Sequence, residues 1–177
     1  MQRAAFLDRD GVLNQSNIIN GLPSPPRNLT ELKILPGVEI GLLKLKRLGL
    51  KTIVVTNQPD VARGTDTIEQ VNEINNFLEK NLPIDYFYIC PHDNSDNCEC
   101  RKPKAGLILT AAQDHKINLP SSYLVGDRWR DVAAGQAAGC KCFFIDYKYP
   151  EESPSPPFTR VSSLLAAAKK IEKEIEQ

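Results

Sequence analysis

Apolar and polar positions fall into alternating blocks along this chain. The run "RAAFL" at residues 3–7 reads as a short buried strand. Residues 36–49 carry apolar positions at helical spacing, with Pro36 near the start and Gly49 as a stop. "LKTIVVTN", residues 50–57, is rich in β-branched side chains and reads as a second strand. Thr67 and Gln70 stand at capping-box spacing ahead of a polar-rich helix over 68–82. A strand at 85–89, a helix over 104–116, a strand at 121–126 and a small-residue helix over 130–139 follow, then a last strand at 141–146. Residues 148–160 are rich in Pro and Ser and read as loop. Val161, Leu164, Leu165, Ala168, Ile171 and Ile175 recur at helical spacing, which predicts a C-terminal helix over 161–176 docked on the core.

Strands alternating with helices, without internal repeats, predict one α/β domain over residues 1–177, three layers deep around a mainly parallel sheet. Ligands of such sheets bind outside the carboxyl ends of the strands. The 177 residues, 41% hydrophobic and 25% charged, suffice for a real core. Lys plus Arg and Asp plus Glu each total 22, so no net charge favours nucleic acid or an anionic membrane as the main partner. No apolar run is long enough to span a bilayer and "MQRAAFLDRD" has no apolar signal core, so a cytoplasmic monomer is the expectation. Five cysteines without an export signal do not suggest a disulfide framework. Cys140 and Cys142, beside an apolar run, read as small buried side chains.

The polar residues at the ends of these blocks change the picture. Asp8 and Asp10 close the first strand, two residues apart, and would project from one side of an extended chain. Like charges there repel, and a divalent cation would remove the conflict. Thr56 and Asn57 end the second strand, Lys102 opens a helix, and Asp127 and Asp131 follow "YLV". All fall after strands or at helix starts, so one fold can bring them to one rim. A hydroxyl, a lysine and carboxylates around a divalent ion suit phosphoryl transfer. Separately, Cys90-x-His92-x5-Cys98-x-Cys100 offers three thiolates and an imidazole, the ligand set of a closed structural zinc site. Its intervening Pro, Asp, Asn and Ser residues have no apolar core, so metal would supply the ordering energy. Trp129 reads as packing, and His115 as a solvent-facing helix residue.

"FLDRDGVLN", "VVTNQ", "CRKPKAG" and "VGDRWRDVAAGQAAG" resemble, in order and spacing, the four motifs of the haloacid dehalogenase superfamily of phosphatases. "TNQPDVARG" and "CPHDNSDNCECRKP" resemble, more narrowly, the D-glycero-D-manno-heptose 1,7-bisphosphate phosphatases, grouped with the histidinol-phosphate phosphatases. The resemblance implies a Rossmann-like haloacid dehalogenase fold without a large cap domain. It implies Asp8 as nucleophile, forming an aspartyl-phosphate, and Asp10 as general acid and base. Magnesium would be held by the Asp8 carboxylate, the Asp10 backbone carbonyl and Asp127, and zinc by Cys90, His92, Cys98 and Cys100. Thr56 would donate to the transferring phosphoryl group and Lys102 neutralise it. Arg9, Asn57, Gln58, Arg101 and Arg128 would bind substrate, with Asp131 supporting the metal shell or its loop. The implied activity is removal of the C7 phosphate of a heptose 1,7-bisphosphate. The alternatives are histidinol phosphate or another small phosphomonoester, or a zinc-organised binding domain without catalysis. Residues 15–37, longer and richer in Pro than expected, would form a stiff loop near the substrate.

Overall fold

A computed structural model of the chain describes residues 1–176. Its central sheet has six parallel strands in the order β5 (Tyr86–Cys90), β4 (Leu50–Asn57), β1 (Arg3–Leu7), β6 (Tyr123–Gly126), β7 (Lys141–Ile145) and β8 (Thr159–Val161). Helices α1 (Val38–Arg47), α2 (Ile68–Asn81) and α5 (Leu164–Ile175) cover one face; α3 (Gly106–His115) and α4 (Trp129–Ala137) cover the other. The two-residue period of β1 sorts its side chains between these layers. Ala5 and Leu7 join the core under α1, α2 and α5, while Ala4 and Phe6 face α3 and α4. A central strand buried on both faces has to read as a continuous apolar run, and "AAFL" does. The three-layer α/β reading therefore holds.

Register sets the level of the strand ends. Leu7 pairs with Val54 on one side and Val125 on the other, so the residues after β1, β4 and β6 emerge on one rim. The Thr67 cap of α2 forms as read: its hydroxyl accepts from Gln70 N at 3.2 Å and Gln70 Oε1 accepts from Thr67 N at 2.8 Å. Helix α5 packs along α1 so closely that a β-carbon on Gly41 would lie 3.3 Å from the Leu165 backbone.

The structure departs from the sequence reading in three places. Residues 15–37 are not loop throughout: β2 (Asn17–Ile19) and β3 (Leu22–Ser24) pair as an antiparallel hairpin. Its Pro23 stands in a two-stranded ribbon, where a missing N–H is tolerated. The segment read as loop ends in β8, so Val161 belongs to a sheet edge and α5 starts at Leu164, capped by the Ser163 hydroxyl. His115 does not face solvent freely; it stacks on Tyr86 at 3.7 Å between ring centroids. Cys140 and Cys142 are buried as expected.

Candidate active site and a cysteine–histidine cluster

Four strand ends build the site. Asp8 leaves β1 with its N–H on Val125 O at 3.0 Å. The chain then turns instead of continuing as strand, with Leu13 N bonding back to Arg9 O at 2.8 Å. Gly11 makes that turn possible at φ +85°, and it also leaves room: a β-carbon there would sit 2.0 Å from Asp127 Oδ2. The turn separates the two motif carboxylates. Asp8 joins Asp127 and Asp131 in a buried cluster with carboxylate oxygens within 4.8 Å of one another. The Asp10 carboxylate is held apart, accepting from Gln58 Nε2 at 2.8 Å and Asn14 Nδ2 at 2.9 Å.

Lys102 is buried among these acids. Its ammonium lies 2.9 Å from Asp8 Oδ1 and 2.6 Å from Asp131 Oδ1, and donates to Val55 O at 2.8 Å. Asn57 fixes the lysine backbone through a pair of 3.1 Å hydrogen bonds, from its amide to Lys102 O and from Lys102 N to its carbonyl. The other Asp131 oxygen accepts from the backbone N–H groups of Asp127 and Arg128 at 3.1 and 2.9 Å. Both oxygens of Asp131 are thus engaged, and it holds the loop before α4. Asp127 is different. Its Oδ2 accepts from the Tyr149 hydroxyl at 3.0 Å, while Oδ1 is buried with no partner.

One lysine does not balance three buried acids. Burial, then the neighbouring Asp131 charge, push the Asp8 carboxyl up to about 7. Burial and the Asp8 charge raise Asp127 well above the usual carboxylate range. Burial disfavours the Lys102 charge, but Asp131 and Asp8 outweigh it and raise its pKa. An orphaned buried oxygen and an excess of negative charge fit a hard divalent cation held by oxygen ligands. Asp8 and Asp127 line a cavity of about 450 Å³ whose wall includes Arg27, Arg63, Arg101, Arg128 and Arg130.

Several expected substrate residues stand elsewhere. Arg9 is fully buried and turned away from the cavity, its guanidinium on Asn75 Oδ1 at 3.0 Å and on Asp10 Oδ1 at 3.2 Å. It supports the Asp10 turn from behind, which corrects its reading as a substrate contact. Gln58 is buried too; its amide bridges Asp10 Oδ2 and the Thr56 hydroxyl, the latter at 2.9 Å. Thr56 likewise sits behind the cavity wall. Arg101, Arg128 and Asn57 do line the cavity. Arg128 is paired there with Glu151, and Arg101 bonds Asn94 Oδ1 at 2.8 Å and His92 O at 3.2 Å. Asn14, Asn75, Tyr149 and Glu151 all touch site residues and were not picked out from the sequence. Their signal was weak: Tyr149 and Glu151 follow the last buried strand at the functional rim, inside a stretch that otherwise reads as spacer.

The loop after β5 gathers the second cluster. Cys100 Sγ lies 3.2 Å from Cys90 Sγ and 3.4 Å from Cys98 Sγ, and Cys90 and Cys98 are 3.7 Å apart. His92 Nδ1 approaches Cys100 Sγ at 3.3 Å and Cys90 Sγ at 3.6 Å. A tetrahedron with metal–sulfur bonds of about 2.3 Å has edges of roughly 3.8 Å, close to these separations. The donor set and its spacing fit zinc.

The HAD-hydrolase-like family profile matches residues 99–147. A D-glycero-alpha-D-manno-heptose-1,7-bisphosphate 7-phosphatase of Photorhabdus laumondii is 33% identical over 96% of this chain and 97% of its own. The chain belongs to the haloacid dehalogenase superfamily, in its heptose-bisphosphate phosphatase branch. It is a phosphomonoester hydrolase by that membership. A D-glycero-beta-D-manno-heptose-1,7-bisphosphate 7-phosphatase of Helicobacter pylori is 35% identical over 86% of this chain and 88% of its own. Among solved structures, the D,D-heptose 1,7-bisphosphate phosphatase of B. bronchiseptica, complexed with magnesium and phosphate, superposes with a TM-score of 0.87. It is 26% identical and covers 98% of this chain and 99% of its own. Among the described residues no helix is long and apolar enough to cross a membrane.

Proposed function

We propose that the protein removes the C7 phosphate of D-glycero-D-manno-heptose 1,7-bisphosphate through an aspartyl-phosphate on Asp8. The observation that carries this reading is the placement of Asp8, at the floor of an arginine-rimmed cavity and beside Lys102 and the orphaned oxygen of Asp127. Lys102 and the Arg9 N–H both take Asp8 Oδ1. That leaves Oδ2 to attack phosphorus; the bond from phosphorus to the sugar oxygen breaks, and Asp10 gives that oxygen its proton. Water then attacks the phosphoryl group, Asp10 takes the water proton, and the Asp8 carboxylate and phosphate are released. Gln58 and Asn14 hold the Asp10 carboxyl in place for both transfers. Thr56 acts through Gln58.

Asp8 and Asp127, with the Asp10 carbonyl, would hold magnesium, which supplies positive charge against the excess acid and polarises the phosphoryl group. The cysteines and His92 would hold zinc in a structural role, since four protein ligands leave no open position. Arg101 is fixed to the backbone and side chain of that same loop, so ordering the loop orders the arginine. A distal phosphate needs charged, planar donors at the cavity rim, and Arg101 and Arg128 supply them.

The deciding experiment is a phosphate-release assay on both anomers of heptose 1,7-bisphosphate, histidinol phosphate and common sugar monophosphates. Specificity constants for a heptose bisphosphate at least tenfold above the rest are expected. A preference for histidinol phosphate would overturn the substrate assignment and leave the phosphatase chemistry standing.

A further inference from the structure

The segment after β7 crosses the functional rim and makes contacts that the proposed chemistry does not use. The Tyr147 hydroxyl donates to Gly11 O at 2.9 Å. Two residues on, the Tyr149 hydroxyl donates to Asp127 Oδ2 at 3.0 Å. Glu151 then pairs with Arg128. Lys148 lies in the left-handed region at φ +59° and Glu151 N donates back to Tyr149 O at 2.8 Å, so this strap is a turned segment whose three side chains reach Gly11, Asp127 and Arg128 in succession. Asp127 lies between this strap and Gly11, whose missing β-carbon leaves space that Oδ2 fills: a β-carbon there would lie 2.0 Å from it. The carboxylate therefore cannot rotate freely. Oδ2 is spent on a phenol, and Oδ1 is buried and without a partner.

From this we infer that Tyr149 is a positioning residue for the divalent-cation site: its hydroxyl fixes the Asp127 carboxylate so that Oδ1 is the oxygen offered to the cation. The inference rests on the magnesium reading above. A partner that hydrogen-bonds a ligating carboxylate sets its orientation, and removing such a partner costs about tenfold or more in metal affinity. A phenol suits the task here because it donates a hydrogen bond and is uncharged at neutral pH. It adds no charge to a site that already holds too much of one sign.

The test is cation binding to full-length protein, stripped of divalent magnesium, with manganese followed by electron paramagnetic resonance and magnesium by competition. Tyr149→Phe removes one oxygen and keeps the ring packing, and near-ultraviolet circular dichroism confirms the fold. Its affinity is expected to fall about tenfold, with most of kcat recovered at saturating magnesium. Asp127→Asn is expected to abolish the tight site. If Asp127→Asn loses the cation and Tyr149→Phe binds within twofold of the parent, the positioning role is overturned and the magnesium reading stands. Loss of turnover in Tyr149→Phe that saturating magnesium does not restore, with unchanged affinity, overturns it as well. If the parent protein and Asp127→Asn bind manganese equally, the magnesium reading itself fails, and the inference with it.

Discussion

The two clusters that could take a metal are built in opposite ways. The Asp8, Asp127 and Asp131 group stands on two adjacent strand ends, β1 and β6, and the first turn of α4, over a sheet buried on both faces, so its geometry is fixed by core packing before any cation arrives. What it lacks is charge balance. The Cys90, His92, Cys98 and Cys100 group has one donor, Cys90, at the buried end of β5 and the other three on the loop that follows, so most of its donors have no sheet to fix them. In the first, the fold forces like charges together and a cation would relieve them. In the second, the cation would hold the fold together. A rigid frame with unresolved electrostatics is what catalysis uses; a satisfied closed knot is what a structural site needs.

The largest expected effect breaks the first cluster without touching the second. Asp8→Asn is isosteric but cannot attack phosphorus, so turnover should fall by about 10⁴-fold or more in a phosphate-release assay. Zinc content and melting temperature should stay near those of the parent. Substantial turnover by the folded variant would remove Asp8 as nucleophile. With beryllium or aluminium fluoride and magnesium, the parent should bind a phosphoryl mimic at Asp8 that the variant does not.

Next in size is the reverse experiment. The parent should copurify with one zinc, measured by elemental analysis, and Cys98→Ser or Cys100→Ser should lose it. Proteolysis should then open the chain near residues 90–104, because metal ligation would supply the ordering energy there. Activity should drop through Arg101 disorder rather than through Asp8. Zinc-free parent protein with normal activity and a protected loop would make the two clusters alike in needing no metal for structure.

How much of this contrast was legible follows from what is local. Asp8, Lys102 and Asp127 at element ends, the capping box at Thr67 and the ligand spacing of the cysteine loop are short-range patterns, and the structure brings each set together. Arg9 was misplaced because a residue between two acids gives no sign of which way it turns. The answer lay in Asn75, sixty-six positions away. Asp10 was expected beside Asp8 because strand periodicity was extended one turn too far; Gly11 breaks it. The hairpin at residues 17–24 hid behind its prolines, and the Tyr149 contact crosses twenty-two positions of chain.

A middle-sized effect tests the link between the clusters. Arg101 is anchored to the cysteine loop yet lines the same cavity as Asp8. A lost charged hydrogen bond costs on the order of 2 kcal/mol, so Arg101→Ala should lower kcat/KM on a heptose bisphosphate roughly thirtyfold. On a generic monophosphate ester the loss should be small. Equal losses on both would place Arg101 on the transferring phosphoryl group and remove the physical support for a bisphosphate.

The smallest effect is the sharpest on the comparison, because its sign decides it. In metal-free protein Asp127 is an uncompensated buried acid beside Asp8 and Asp131. Its raised pKa costs folding stability at neutral pH, above the unfolded value, whether the group ionises or takes up a proton, and Asp127→Asn removes that cost while its carbonyl oxygen can still accept from Tyr149. Its amide then offers donors where Oδ1 had no partner. Relief of the repulsion should stabilise the metal-free fold by about 1 kcal/mol, a rise of roughly 2–4 °C in melting temperature for a domain of this size. Adding magnesium should raise the melting temperature of the parent and leave the variant unmoved, since only the parent gains a bound ion. The cysteine variants should shift the other way, below the zinc-loaded parent. A fall in melting temperature for metal-free Asp127→Asn would mean that the acid cluster carries the fold, as the thiol cluster is proposed to. The distinction between a strained site and a structural one would then be lost.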